Sequence, residues 1–368
     1  MGDADREALA PLEADLLTAA FLPQPEAIAA WRRWRASVDW EGPVGAEVFS
    51  LLPRVRANLL GQGEDDPLFP RFQGIARQAW LRNQRRIAEL QSILRSCHQA
   101  GVALLLLPPQ WRLLMEPRAV LMPGESPEWA MRSSQAAAGL SALLRAGWTI
   151  PGVQLPAALV PGYVLGTDHL QLRAGSAEIT ELSWRLEWWF PGRDEAVWQR
   201  STASPLGHAQ VLMLDRTDAL EFSLRQASGH SLLRDMVEVL AIATGPGGIL
   251  WQRLDTELLR YPLPKDRRVL LERLQPFLGC WGAPPRLDHW CAEGPSRAPA
   301  MAPTPRAPSV PVRLRQDWLV YQRAWGKAAP PLAGLLQLPG YLMARWRLTH
   351  PRQLANGLGA WLRWRPTP

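Results

Sequence analysis

Between Phe72 and His98 the residues Ile75, Ala76, Ala79, Trp80, Ile87, Leu90, Leu94 and Cys97 fall along one stripe, which is the 3.6-residue period of an amphipathic helix. Gly101 stands where such a helix would end. The run Val102–Leu107 that follows is wholly apolar and is closed by Pro108 and Pro109. A run so short and so apolar predicts a buried strand. A long helix that delivers the chain into a buried strand is the start of a mixed arrangement of helices and sheet.

The rest of the chain extends this pattern. Leu16 to Leu60 predicts helix, with Ala29, Trp31, Trp34 and Val38 at short helical intervals, and a GQGEDDP loop interrupts at 61–67. Ala119–Met122 (AVLM) predicts a second strand. SPEWAMRSSQAAAGLSALLRAG then predicts a helix with Ser126 as its N-cap and Pro127 in its first position. Residues 148–185 are strand-like but broken by Pro151, Pro156 and Pro161, and their best strand is Glu178–Trp184. Residues 194–279 return to helical patterns. The expected class is α+β, a small mixed β-sheet flanked by N-terminal and C-terminal helices. The expected divisions are a helical region at 1–100, an α/β core at 101–190, a helical region at 191–293, a Pro/Ala-rich linker at 294–311 and a basic tail at 312–368.

Composition restricts the chemistry. Of 368 residues 47% are apolar and 20% charged, which suits a packed globular chain. No stretch approaches the roughly 18 apolar residues of a membrane span, and MGDADREALAPLEADLL is too acidic for a secretion signal. Cys97, Cys280 and Cys291 form no disulfide framework. A reducing cytoplasm is the expected compartment, with the tail offering peripheral attachment to a membrane. Among 41 basic residues only Lys265 and Lys327 are lysines, so residues 1–264 must clamp any phosphate with arginine or backbone amides. Residues 312–368 carry nine Lys/Arg against Asp317 alone, a net of +8, whereas the whole chain is +7. The main body is therefore close to neutral.

Four segments stand in a telling order: WRRWRASVDW (31–40), SLLPRVRANL (50–59), ARQAWLRNQRRIAELQSILRSCHQAGVALLLL (76–107) and the pair Gly147–Trp148. Over roughly residues 15–280 the chain resembles the uncharacterised bacterial nucleotidyltransferase family. That family shows a WxxW…DW opening, LLPLLYRNL, a WxRNQ helix, AGIxxLLLKG, RPMxDxDLLVP, a helix ending in GW and a strand ending in (D/E)LHW. The last appears here as Glu181-Leu182-Ser183-Trp184. The resemblance implies a nucleotidyltransferase-like core, in which paired aspartates on one strand and a third carboxylate nearby hold two metal ions for in-line phosphoryl transfer.

The motifs that carry that chemistry are altered. LLLKG has become Leu105-Leu106-Leu107-Pro108-Pro109, which removes the lysine and sets two prolines where a phosphate cradle needs amide donors. Aligned on Arg118 or on the end of the AVLM strand, RPMxDxDLLVP recovers no aspartate pair. Glu181 keeps the third carboxylate and is the candidate catalytic group and metal ligand. Glu116 is a second residual catalytic candidate, Glu125 a displaced carboxylate, and Arg118 and Ser183 are candidate nucleotide contacts. Cys280, His289 and Cys291 supply three soft ligands without a fourth. Asp168 and His169 lie in a loop-like TDHL, GPGG at 245–248 lacks the lysine of a phosphate-binding loop, and Trp188–Trp189 suits a core.

Three functions follow as expectations. One is a catalytically degenerate nucleotidyltransferase-like protein that serves as a binding or assembly partner for another protein and needs no cofactor. Another is an active nucleotidyltransferase with relocated carboxylates and Mg²⁺. The third is an adaptor whose 312–368 tail docks on an anionic membrane or on RNA. No DNA-binding motif is present.

Overall fold

The computed structural model describes residues 11–39, 44–108, 127–151, 160–167, 169–174, 179–186, 189–206, 209–227, 231–245, 247–278 and 287–291, together with 110, 114, 155 and 157. Helices α1 (Pro11–Phe21), α2 (Glu26–Ser37), α3 (Ala46–Gly61) and α4 (Phe69–Gln99) lead into β1 (Leu104–Leu106) and β2 (Glu128–Met131). Next come α5 (Ala136–Arg145), α6 (Val160–Gly166), β3 (His169–Leu172), β4 (Thr180–Ser183) and α7 (Asp194–Arg200). The chain continues through β5 (Thr202–Leu206), β6 (Ala209–Met213), α8 (Arg216–Gln226), α9 (Leu232–Thr244), α10 (Trp251–Arg260) and α11 (Arg268–Leu278). The class is α+β, as expected. The described residues form two compact units, one holding those within 1–91, 106–125 and 189–298 and the other those within 92–105 and 126–188. Among the described residues no helix is long and apolar enough to cross a membrane.

In the first unit the tryptophan-rich opening builds core. Trp31 and Trp34 stack with ring centroids 5.3 Å apart, and Trp31 meets Phe72 edge-on at 5.8 Å. Both tryptophans are at most 1% exposed. The buried Trp31 indole needs an acceptor, and Asp66 supplies it at 3.0 Å while pairing Arg35 at 2.5 Å. Asn58 donates to the carbonyls of Ala19 and Leu22 and so closes the C-terminal end of α1. The WxxW and RxNL motifs are thus explained by packing and capping. Farther along, β5 and β6 pair antiparallel, Thr202 opposite Met213 and Leu206 opposite Ala209. This hairpin lies in a stretch expected to be helical.

The second unit contains a mixed sheet in the order β3-β4-β2-β1. β2 and β4 run parallel, and β3 and β4 run antiparallel. The predicted strands Val102–Leu107 and Glu178–Trp184 therefore belong to one sheet as β1 and β4, while Ala119–Met122 lies outside the described residues. Two helices end as the motifs predict. Gly101 adopts φ +70°, its N–H bonds His98 O, and Val102 N–H bonds Cys97 O. Gly147 (φ +90°) repeats the arrangement, with Trp148 N–H on Leu143 O. This is the reversal that a left-handed glycine makes at a helix end, and it turns the chain back into the sheet.

Three further expectations are corrected. The stripe on α4 is rotated: Phe72, Ala76, Ala79, Leu90, Ile93, Leu94 and Cys97 are buried, but Trp80 is 43% exposed and Ile87 only half-buried. The helix expected from Ser126 begins at Ala136 instead, because 128–131 is β2, whose backbone pairs with β4. Within 148–185 the segment Val160–Gly166 is helical, and Pro161 sits in its first turn, where a missing N–H costs nothing.

Candidate functional site

Side chains alternate across a strand, and residues in register on neighbouring strands share a face. On one face of β2, β3 and β4 stand Trp129, Met131, Leu170, Leu172, Thr180 and Leu182, all at most 3% exposed. Trp129 Nε1 donates to Thr180 Oγ1 at 3.0 Å, and Thr180 Oγ1 donates to Pro127 O at 2.8 Å. This polar clasp inside the core fixes the β2–β4 register. Gly139 on α5 approaches the same layer so closely that a Cβ there would lie 2.8 Å from the Met131 side chain.

The opposite face is polar, and it is built in two rows. Glu128 on β2 is in register with Glu181 on β4, and Glu181 with Gln171 on β3. In the adjacent row Ala130 pairs with Ser183, and Ser183 with His169. Gln171 Nε2 donates to Glu181 Oε1 at 3.0 Å. Glu128 and Glu181 are half-buried, His169 and Gln171 exposed, and Ser183 only 9% exposed. Two of the predicted residues, Glu181 and Ser183, therefore share one face and are joined there by Glu128, Gln171 and His169. Glu116, Arg118 and Glu125 lie outside the described residues, as do Asp168, Cys280 and Trp188.

Glu128 gives no signal in the sequence, because the SPEWAM pattern predicts a helix. With 128–131 as a strand, Glu128 comes into register with Glu181. The donor set still limits what the face can hold. Among the described residues no cluster of three or more His, Cys, Asp or Glu side chains is placed to bind a metal ion. Two carboxylates, one of them engaged by Gln171, fit a single divalent ion bound with water and phosphate oxygens. They do not fit the ion pair of a two-metal transferase.

Of the other predicted ligands, only His289 and Cys291 are among the described residues. His289 is exposed, whereas Cys291 is 2% exposed and its thiol is pushed up by burial. GPGG follows the C-terminal end of α9, with Gly247 at φ +92°.

A second concentration of charge, in the first unit, was not anticipated. Glu221 on α8 is 1% exposed and accepts from both Arg193 (2.5 and 3.1 Å) and Arg225 (2.9 Å). Arg193 also lies 3.2 Å from Glu257 of α10. Asp218, 1% exposed, accepts two bonds from Arg200, at 2.9 and 3.0 Å. Asp215 caps α8 by accepting from Thr217 and Asp218 N–H, and it pairs with Arg253. Arginines 193, 200, 225 and 253 balance acids 215, 218, 221 and 257, so the network is neutral and ties α7, α8 and α10 together.

Burial pushes the Asp218 carboxyl up to about 6, although the Arg200 hydrogen bond pulls the other way. The folded protein then holds a proton there that the unfolded chain, near 4, has already lost. Its stabilising contribution is complete below the unfolded value and disappears as pH rises through about 6. In thermal melts from about pH 4.5 to about pH 7, Asp218→Asn is expected to gain stability relative to the native protein. A native-minus-variant difference that ignores pH would refute the assignment.

Beyond these internal features, no family model matches the chain, and neither a curated protein nor a solved structure does.

Proposed function

We propose that this is a nucleotidyltransferase-like protein that has lost group transfer and acts as a binding or assembly partner for another protein. The observation that supports this most is the donor set of the polar face, with two carboxylates in register and a glutamine on one of them. A single ion there could neutralise a phosphate. The second ion, which would activate the attacking oxygen, lacks its carboxylates among the described residues. The lysine-free first 264 residues and the Pro108–Pro109 pair after β1 argue in the same direction, since both remove phosphate donors from the usual place.

The test is a calorimetric titration with each nucleoside triphosphate and Mg²⁺. The expected affinity is no better than about millimolar, roughly −4 kcal/mol.

One observation favours the alternative of an active enzyme with relocated carboxylates, namely that Glu128 stands directly across from Glu181. On that alternative a micromolar site would appear that requires Mg²⁺ and is abolished by both Glu128→Gln and Glu181→Gln. Either substitution removes one charged ligand and keeps the side chain's size.

A further inference from the structure

Between Asp66 and Glu89 the sequence contains five arginines and no acid. α4 displays most of them outward. With about 100° per residue, Leu81 lies at the middle of the solvent face, and Arg77 and Arg85 stand one turn before and after it. Arg71 and Arg82 line one flank, and Trp80 lies on the other. Leu81 is 56% and Trp80 43% exposed, and Arg71, Arg77, Arg82 and Arg85 are all exposed. None of these four arginines makes a hydrogen bond or ion pair with a described residue. Many other arginines of the first unit are held by carboxylates, as with Arg33 on Asp15, Arg35 on Asp66 and Arg193 on Glu221.

We propose that this face of α4 binds single-stranded nucleic acid. The inference stands apart from the nucleotidyltransferase-like assignment and also from the basic tail. Arg77 and Arg85, about 12 Å apart along the helix at about 1.5 Å per residue, with Arg71 and Arg82 on the flank, form a cationic track that suits a polymer carrying one negative charge per unit. A large aromatic side chain beside that row is the second half of a single-strand platform, because any base offers it a π-face. The apolar surface is confined to Leu81 and part of Trp80, too little for an amphipathic helix to lie in a bilayer. An acidic peptide would satisfy the arginines but leave Trp80 without a partner. A duplex would keep its bases stacked away from the indole.

The experiment uses the full-length protein and a fluorescein-labelled 12-nucleotide RNA of mixed sequence, with anisotropy read over a series of salt concentrations. Arg77→Gln with Arg85→Gln keeps the helix-forming character and removes two phosphate contacts. It is expected to weaken binding at least tenfold at low salt and to reduce the log–log salt slope by about 1.4, from roughly 0.7 per contact. Trp80→Ala is expected to weaken binding about tenfold while leaving the slope unchanged, because stacking releases no counterions. All three positions are exposed, so thermal melts should stay within a few degrees of the native protein. A variant that melts lower is replaced by Trp80→Gln or by Arg82→Gln with Arg85→Gln. Replacing the arginines of 312–368 with glutamine separates the two basic regions, and the effect of the α4 substitutions should persist in that background. The proposal fails if the native protein does not bind the RNA at about 50 mM salt, or if the α4 variants bind it with native affinity and slope. It fails equally if α4-dependent binding is found to phosphatidylserine vesicles and not to RNA.

Discussion

Glu221→Ala is expected to destabilise the protein by about 3–5 kcal/mol, among the largest single-residue effects available to it. The carboxylate is 1% exposed and holds two guanidinium groups, Arg193 and Arg225, whose side chains are 9% and 11% exposed. Removing the acid leaves two positive charges side by side out of water. Arg193 retains Glu257, and Arg225 retains the Tyr261 carbonyl at 2.7 Å, but neither neutralises what Glu221 did. Glu221→Gln preserves the shape and loses the charge, so it should show most of the same loss. Urea unfolding followed by tryptophan fluorescence measures both. A loss below about 1 kcal/mol for either would mean that water reaches the arginines and that the network is a surface feature.

Trp129→Ala should cost a similar amount, about 3–5 kcal/mol, for a different reason. The indole is 1% exposed on the core face of β2, and its N–H grips Thr180 on β4. Truncation leaves a cavity between strands and frees the clasp that sets their register. Because Glu128 and Glu181 face each other only in that register, the variant should also disorganise the polar face. Trp129→Phe separates the two contributions: it refills most of the cavity, and its smaller loss, on the order of 1 kcal/mol, is that of the hydrogen bond. If alanine and phenylalanine prove equally mild, β2 is held by something other than this side chain.

The parts of the fold legible in the sequence were those where local and tertiary preferences agree. The period of α4, its glycine stop and the apolar run after it point to one outcome, and the glycine that ends α5 is equally clear. β2 was not legible. Ser126-Pro127 has the chemistry of a helix start, and Glu128, Ala130 and Met131 are good helix formers. Pairing with β4 and the burial of Trp129 override those weak preferences. α6 failed in the opposite sense, since its Pro161 resembled a strand breaker and is a first-turn helical residue. The β5–β6 hairpin contains Pro205, a residue sheets admit only at edges and bulges, and its pairing is set by contacts no local window contains. Of the candidate site, Glu181 and Ser183 were visible through the ELSW segment and the resemblance it carries. Glu128 became visible only once its strand was known, because register alone sets it beside Glu181. The charge network around Glu221 left no sequence signal, since its members are spread from Arg193 to Glu257.

The burial of Cys97 and Cys291 has a consequence for how this protein ages. They lie in different units, are 0% and 2% exposed, and both thiols are pushed up by burial, that of Cys97 to about 12. Oxidants and alkylating reagents act on thiolates, so these two sulfurs are protected from chemical damage for as long as their surroundings stay closed. Modification at either one records a past opening of the unit that contains it, and the two sites keep separate records.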